Sequence, residues 1–250
     1  VSIGLGIVTH ERPDHFRRVA AGVHKHLAGL AHFYIQDDAS KKVEYSSMYK
    51  RVRQWADVEI NPKNLGVGKT KNRLLQRMLA DGHDWLFVVE DDCVPVDPKA
   101  ITGYVEACEK SGWQHLSFHG HGPANGRESG GRAPWTVLRE ITLWQEYVGA
   151  WCIYSREALE KVGLMDDAFT NSHEHVNHTA RMQLAGFAPY STYFRSCPDA
   201  TGSDSWISEI PGAIQTSTIR HSDEWQKNYE EGLKHWYETD QASFRLVWPG

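Results

Sequence analysis

Apolar residues in the first half of the chain come in short blocks, separated by longer stretches with helical periodicity. Residues 3–8, 32–36, 58–60, 85–89 and 114–118 have the length and the β-branched or aromatic content of strands. Between them, residues 13–27, 43–55, 68–80 and 98–110 repeat apolar positions every three or four residues, as amphipathic helices do. Pro13 suits a helix start, because it brings no N–H to be left unpaired and its φ is already helical. This alternation predicts an α/β fold built on a doubly wound, mostly parallel sheet. The rhythm breaks after residue 118. Residues 120–132 are rich in Gly, Asn, Ser and Pro and read as a loop. Residues 135–154 read as one or two strands, followed by helices at 156–162, 174–184 and 223–237. No repeat, low-complexity tract or linker divides the chain. The expectation is one domain over 1–250, with 1–112 as a regular half and 113–250 adding a smaller lobe.

Bulk properties narrow this picture only slightly. A formal charge of −5 gives no overall electrostatic reason to bind nucleic acid. A local basic rim from Lys41-Lys42, Lys50, Arg51, Arg53, Arg127 and Arg132 stays open, as does plain solvated surface. No apolar run reaches the roughly 18–20 residues that a membrane span needs, and residues 1–8 read as a buried strand instead of a signal peptide. The four cysteines, Cys93, Cys108, Cys152 and Cys197, are scattered without a CxxC pair. Scattered cysteines fit reduced thiols in a cytoplasmic protein better than a disulfide framework.

The chemistry concentrates where the strand at 85–89 ends in Glu90-Asp91-Asp92. A continuous apolar run is the mark of a central strand covered on both faces, and in open α/β sheets ligands bind beyond the carboxyl ends of strands. In an extended chain residues 90 and 92 share one face and 91 points away. Glu90 and Asp92 are therefore the expected pair for a hard divalent cation, Mg²⁺ or Mn²⁺, that could bridge a diphosphate. A solvated acidic turn is the plain alternative.

Set beside its neighbours, this cluster resembles glycosyltransferase family 2 and the wider GT-A fold, over the chain from its first strand to about His221. Gly6 to Pro13 resembles that family's first strand and Thr-x-x-Arg-Pro turn. Phe33 to Ser40 resembles the Val-Asp-Asp-Gly-Ser motif, with Ala39 in place of Gly, and Asn64 to Asn72 resembles the Asn-x-Gly…Ala-Arg-Asn segment, with Lys71 on the family's Arg. Glu90 and Asp92 match the ends of Asp-x-Asp. Val148 to Arg156 resembles the Gly-containing strand near the sugars, and Val162 to Phe169 the turn after it. His173 to Gly186 resembles Glu-Asp-x-Asp-x-x-x-Arg-x-x-x-x-Gly, with His175 where the catalytic Asp usually stands. By this resemblance 1–112 is the nucleotide-binding half and 113–250 the acceptor-side half. Thr9, Arg12, Asp38, Asn64, Gly66, Lys71, Asp91, Gly149 and Trp151 would line the donor site. Asp92, with Glu90 and His221, would hold Mn²⁺ or Mg²⁺. Glu174 or His175 would take the acceptor proton in an inverting displacement from a UDP-sugar, both being chemically able to do so. Trp151 and Trp135 are candidates for stacking on sugar, with core packing the alternative.

The resemblance leaves the acceptor open between a glycan, a protein and a hydroxymethylated DNA base of the phage type. Gly68-Lys69-Thr70 ends like a P-loop, but Lys63 stands where such a loop needs Gly. Two readings from other classes remain. Fourteen histidines, with His119-Gly120-His121 and His173-x-His175-x-x-His178, invite a zinc hydrolase, although no HExxH is present. The missing catalytic Asp invites a sugar- or nucleotide-binding module without turnover.

Overall fold

The computed structural model describes residues 1–122, 125, 135–192, 195–220 and 224–248. The chain runs β1 (Ile3–Thr9), α1 (Pro13–Leu27), β2 (His32–Asp37), α2 (Glu44–Val52), β3 (Asp57–Ile60), α3 (Val67–Ala80), β4 (Trp85–Glu90), β5 (Cys93–Pro95), α4 (Lys99–Ser111) and β6 (His115–Ser117). It continues through β7 (Trp135–Leu138), β8 (Ile141–Trp144), β9 (Trp151–Ser155), α5 (Arg156–Val162), α6 (Glu174–Leu184), β10 (Cys197–Ala200), β11 (Ile207–Glu209), α7 (Trp225–Thr239) and α8 (Gln241–Val247).

Six strands form the central sheet in the order β3-β2-β1-β4-β9-β6. β1 pairs in parallel with β2 and β4, and β2 with β3, while β9 runs antiparallel to both its neighbours. Every strand but β9 therefore points the same way, as the strand–helix alternation predicts. The apolar run of β4 serves both faces. Phe87 and Val89 pack with Leu5, Ile7 and the buried faces of α1, α2 and α4. Leu86 and Val88 pack with Leu74, Leu75 and Met78 of α3 and with α5 and α6. Alternate side chains of one strand thus feed two helical layers, which is why no polar position interrupts the run.

The second half departs from the expected one or two strands. Residues 135–155 make three, and they belong to different sheets: β7 and β8 join β10 in an antiparallel three-stranded sheet, whereas β9 enters the central one. β5 and β11 form a further antiparallel pair. The expected helix at 223–237 is α7, and α8 follows it unpredicted. Trp236, fully buried, lies 6.0 Å from the Phe169 ring, 6.1 Å from His173 and 5.1 Å from Trp248. This aromatic wedge buttresses the start of α6. Among the described residues, no helix is long and apolar enough to cross a membrane.

Candidate active site

The parallel register brings the carboxyl ends of β1, β2 and β4 to one edge, with Val8 opposite both Gln36 and Glu90, and Thr9 opposite Asp37. β4 ends at Glu90, and Asp91-Asp92 form a turn before β5. The turn ends the two-residue alternation, so the acids pair differently from the extended-chain expectation. Asp91 and Asp92 share a partner, and Glu90 faces elsewhere.

Asp91 is buried and accepts a hydrogen bond from Thr9 Oγ1 at 2.6 Å and from Arg12 Nη1 at 3.0 Å. Burial pushes its carboxyl up to about 7, against the pull of Arg12. The same Nη1 donates to Asp92 Oδ2 at 3.1 Å, while Nη2 donates to the carbonyl of Ala213 at 3.0 Å. Arg12 therefore clamps the acidic turn to the segment after β11. Asp92 is equally buried, yet among the described residues its Oδ1 has no hydrogen-bond donor. A carboxylate oxygen left unpaired inside a protein is costly, and it is a ready ligand for a hard cation.

Glu90 belongs to a second set of charges. Lys71, on α3, is fully buried; its Nζ donates to Glu90 Oε1 at 2.5 Å, to the Gly149 carbonyl at 3.2 Å and to Glu174 Oε1 at 3.3 Å. Burial works against the ammonium, but Glu90 and Glu174 outweigh it and keep Lys71 charged. Burial likewise works to raise Glu174, and Lys71 followed by His175 overrules it, holding the carboxylate well below its ordinary range. His175 Nδ1 lies 3.1 Å from Glu174 Oε1, and its side chain keeps 24% of its surface exposed against 4% for Glu174. The imidazole fits only because residue 149 is glycine, since a Cβ there would fall 2.3 Å from His175 Cγ.

The remaining candidates divide. Asp38 accepts from the backbone N–H of Leu65 at 2.7 Å, from that of Gly66 at 2.9 Å and from Asn61 Nδ2 at 2.8 Å. Asn64 Oδ1 also accepts from Gly66 N at 2.9 Å. Asp38, Asn64 and Gly66 thus meet in the turn that starts α3, and Gly66 needs its φ of 85° there. Trp151 is removed from ligand contact: it is fully buried on β9, 6.3 Å from the Phe87 ring, and offers no face for a sugar. Core packing has won at that position. Trp135 lies on β7, 61% exposed. His221, Arg127 and Arg132 lie outside the described residues. Lys41, Lys42, Lys50, Arg51 and Arg53 are exposed.

The histidines of the hydrolase reading diverge. His173 Nε2 meets the Tyr229 carbonyl at 3.1 Å, and His178 Nε2 meets the Gly163 carbonyl at 2.9 Å, deep in the core. Among the described residues, one group of three His, Cys, Asp or Glu side chains has ligand atoms all within 4.8 Å of one another: Asp92, Cys93 and His121. His121 is the site residue that the resemblance did not supply. Its only signal in the sequence is the His-Gly-His triplet, which reads there as loop.

Neither a protein-family model nor a curated protein matches the sequence. Solved structures do match. The chain superposes on GalNAc-T7, solved with UDP, GalNAc and Mn²⁺, with a TM-score of 0.61 and 15% identity over 98% of this chain and 50% of that one. It matches S. aureus TarS 1–349 with a TM-score of 0.58 and 13% identity over 98% and 74%. It matches a mannosyltransferase from Pyrobaculum calidifontis, solved with GDP-Man and Mn²⁺, with a TM-score of 0.55 and 12% identity over 74% and 52%. The chain thus spans about half the length of the first and third of these and about three quarters of the second. All three are GT-A glycosyltransferases, and the fold of this chain is GT-A.

Proposed function

Proceeding from the GT-A fold, we propose that the chain is a glycosyltransferase that moves a sugar from a UDP-sugar to an acceptor hydroxyl with a divalent cation, Mn²⁺ or Mg²⁺, at Asp92. The observation that carries this reading is the pair of charge systems at one sheet edge. Asp92 presents an unspent, buried Oδ1, and the Lys71–Glu90–Glu174–His175 chain ends in a partly exposed imidazole. The UDP and Mn²⁺ bound by GalNAc-T7 give the same pairing of donor and cation.

Asp92 is the carboxylate with a free oxygen to hold the cation, which when bound would stabilise the negative charge on the leaving diphosphate. Glu90, committed to Lys71, keeps the buried ammonium in place. On the acceptor side we assign the base to His175. Glu174 accepts from the Nδ1–H of His175, which leaves Nε2 as the proton acceptor and fixes the tautomer. Glu174 itself is buried against Lys71 and serves to orient the ring. As the acceptor oxygen forms its bond to the anomeric carbon, the bond from that carbon to the diphosphate oxygen breaks, the hydroxyl proton passes to His175 Nε2 and UDP leaves. Attack opposite the leaving group inverts the anomeric carbon.

The test is UDP release from a panel of UDP-glucose, UDP-galactose and UDP-N-acetylglucosamine, with Mn²⁺ and with chelator. Metal-dependent release with one donor, lost by at least a hundredfold in Asp92→Ala, is expected on the loss of transition-state charge stabilisation. Donor binding without release or transfer to any acceptor would leave a binding module, and stoichiometric zinc with indifference to UDP would leave a hydrolase.

A further inference from the structure

The segment that follows β6 carries an imidazole to the acidic turn from a part of the chain outside the donor-site motifs. β6 points the same way as β4, with β9 between them, so residues 118–122 emerge at the same sheet edge as Asp91-Asp92. The start of that segment is anchored. The backbone N–H of His119 donates to Asp199 Oδ2 at 3.0 Å, its Nδ1 lies 2.6 Å from the same oxygen, and its ring stacks on Trp144 at 3.4 Å. Asp199, fully buried, also accepts from Tyr104 and Ser203, so it cannot swing away. On the other side of residue 121, the Gly122 N–H donates to Glu209 Oε1 at 2.8 Å.

Between these two anchors His121 Nδ1 stands 3.8 Å from Asp92 Oδ1. Among the described residues, Asp92 Oδ1 has no hydrogen-bond partner. Glu209 Oε1 lies 2.9 Å from the same nitrogen, so the His121 ring stands between two carboxylates, Glu209 and Asp92. Arg12 occupies Asp92 Oδ2, which leaves Oδ1 turned toward His121. Two ligand atoms of one metal ion, each about 2.1–2.2 Å from it, lie roughly 3–4 Å apart. The observed gap is therefore one that a single cation can bridge with little movement.

We infer that His121 is a protein ligand of the cation at Asp92, supplied by the segment after β6. The inference rests on the metal-dependent reading proposed above and adds to it a ligand from the acceptor-side half of the chain. The sequence offers His221, near the C-terminus, as the competing imidazole.

Mn²⁺ titration in the presence of UDP, followed by the loss of the free Mn²⁺ signal in electron paramagnetic resonance, separates the two. His121→Ala and His121→Gln are each expected to weaken Mn²⁺ binding at least tenfold. UDP binding measured without metal, and the thermal midpoint, report whether each variant is folded. His221→Ala is measured beside them as the comparison. Loss in both histidine positions still makes His121 a ligand, now with His221 beside it. Wild-type Mn²⁺ affinity in folded His121 variants overturns the inference and leaves the transferase reading intact. A wild-type protein that binds no Mn²⁺ with UDP overturns both.

Discussion

Lys71 shows how one residue can set the chemistry of its neighbours. A fully buried ammonium needs counter-charges, and it finds them in Glu90 from β4 and Glu174 from α6. Glu174 is thereby kept ionised and out of solvent, while His175, one residue on, keeps an open edge. The two candidates for the base therefore take different roles. His175→Ala is expected to lower the rate of transfer by about a hundredfold or more while leaving UDP-sugar binding nearly intact. Glu174→Gln retains a group that can accept from Nδ1–H and is expected to cost less than His175→Ala. Steady-state transfer rates beside equilibrium donor binding check both. A larger loss in Glu174→Gln would return the base to Glu174. The sequence shows that both groups stand at the head of a helix. It does not show that one of them is spent on Lys71, because residue 71 lies 103 positions away along the chain.

At the scale of elements, β6 meets α6 through buried histidines. His115 Nδ1 pairs with the Ile153 carbonyl at 2.9 Å and Nε2 with Thr179 Oγ1 at 2.9 Å, and its ring stacks on Tyr154 at 4.4 Å. Burial pulls its pKa down to about 4. Above pH 6.5 the ring is neutral in both the folded and unfolded chain and costs nothing. Between 6.5 and 4 the unfolded chain takes up the proton and the folded one does not, so stability falls with pH through that window. The loss from His115 alone is about 2 kcal/mol by pH 5. His178, also buried and pushed down, with Arg181 adding to the effect, works in the same direction. Asp91, raised by burial to about 7, works in the opposite one. The quantity to measure is therefore the difference in urea-unfolding free energy between pH 7 and pH 5, in wild type and in His115→Gln. The variant is expected to lose about 2 kcal/mol less over that interval. Equal losses would mean that His115 titrates normally in the folded chain.

For the molecule as a whole, the C-terminal pair α7 and α8 supports the site from outside the central sheet. Trp236 wedges against Phe169 and His173 immediately before Glu174, and its Nε1–H donates to Ser243 Oγ at 2.6 Å. Trp236→Ala is expected to cost about 3–5 kcal/mol, visible as a lowered thermal midpoint, and to depress transfer by loosening the start of α6. Trp236→Phe keeps most of the wedge and loses the hydrogen bond, so it is expected to fall between the two. An alanine variant with wild-type stability would show that α7 and α8 dock without supporting the site.

Much of this protein is legible in short-range pattern. The strand–helix alternation of residues 3–111, the two-faced apolar strand at 85–89, the acidic end of that strand and the helix that begins at Glu174 all follow from periodicity and turn chemistry within a dozen residues. What depends on contacts between distant segments came from the fold. The turn at Asp91-Asp92 parted Glu90 from the other two acids. The core claimed Trp151. The direction of β6 carried His121 to Asp92 across 29 residues of chain. Local pattern sets which face a side chain takes, but the partner it meets there is set by the order and direction of strands in a sheet, which no window of sequence contains.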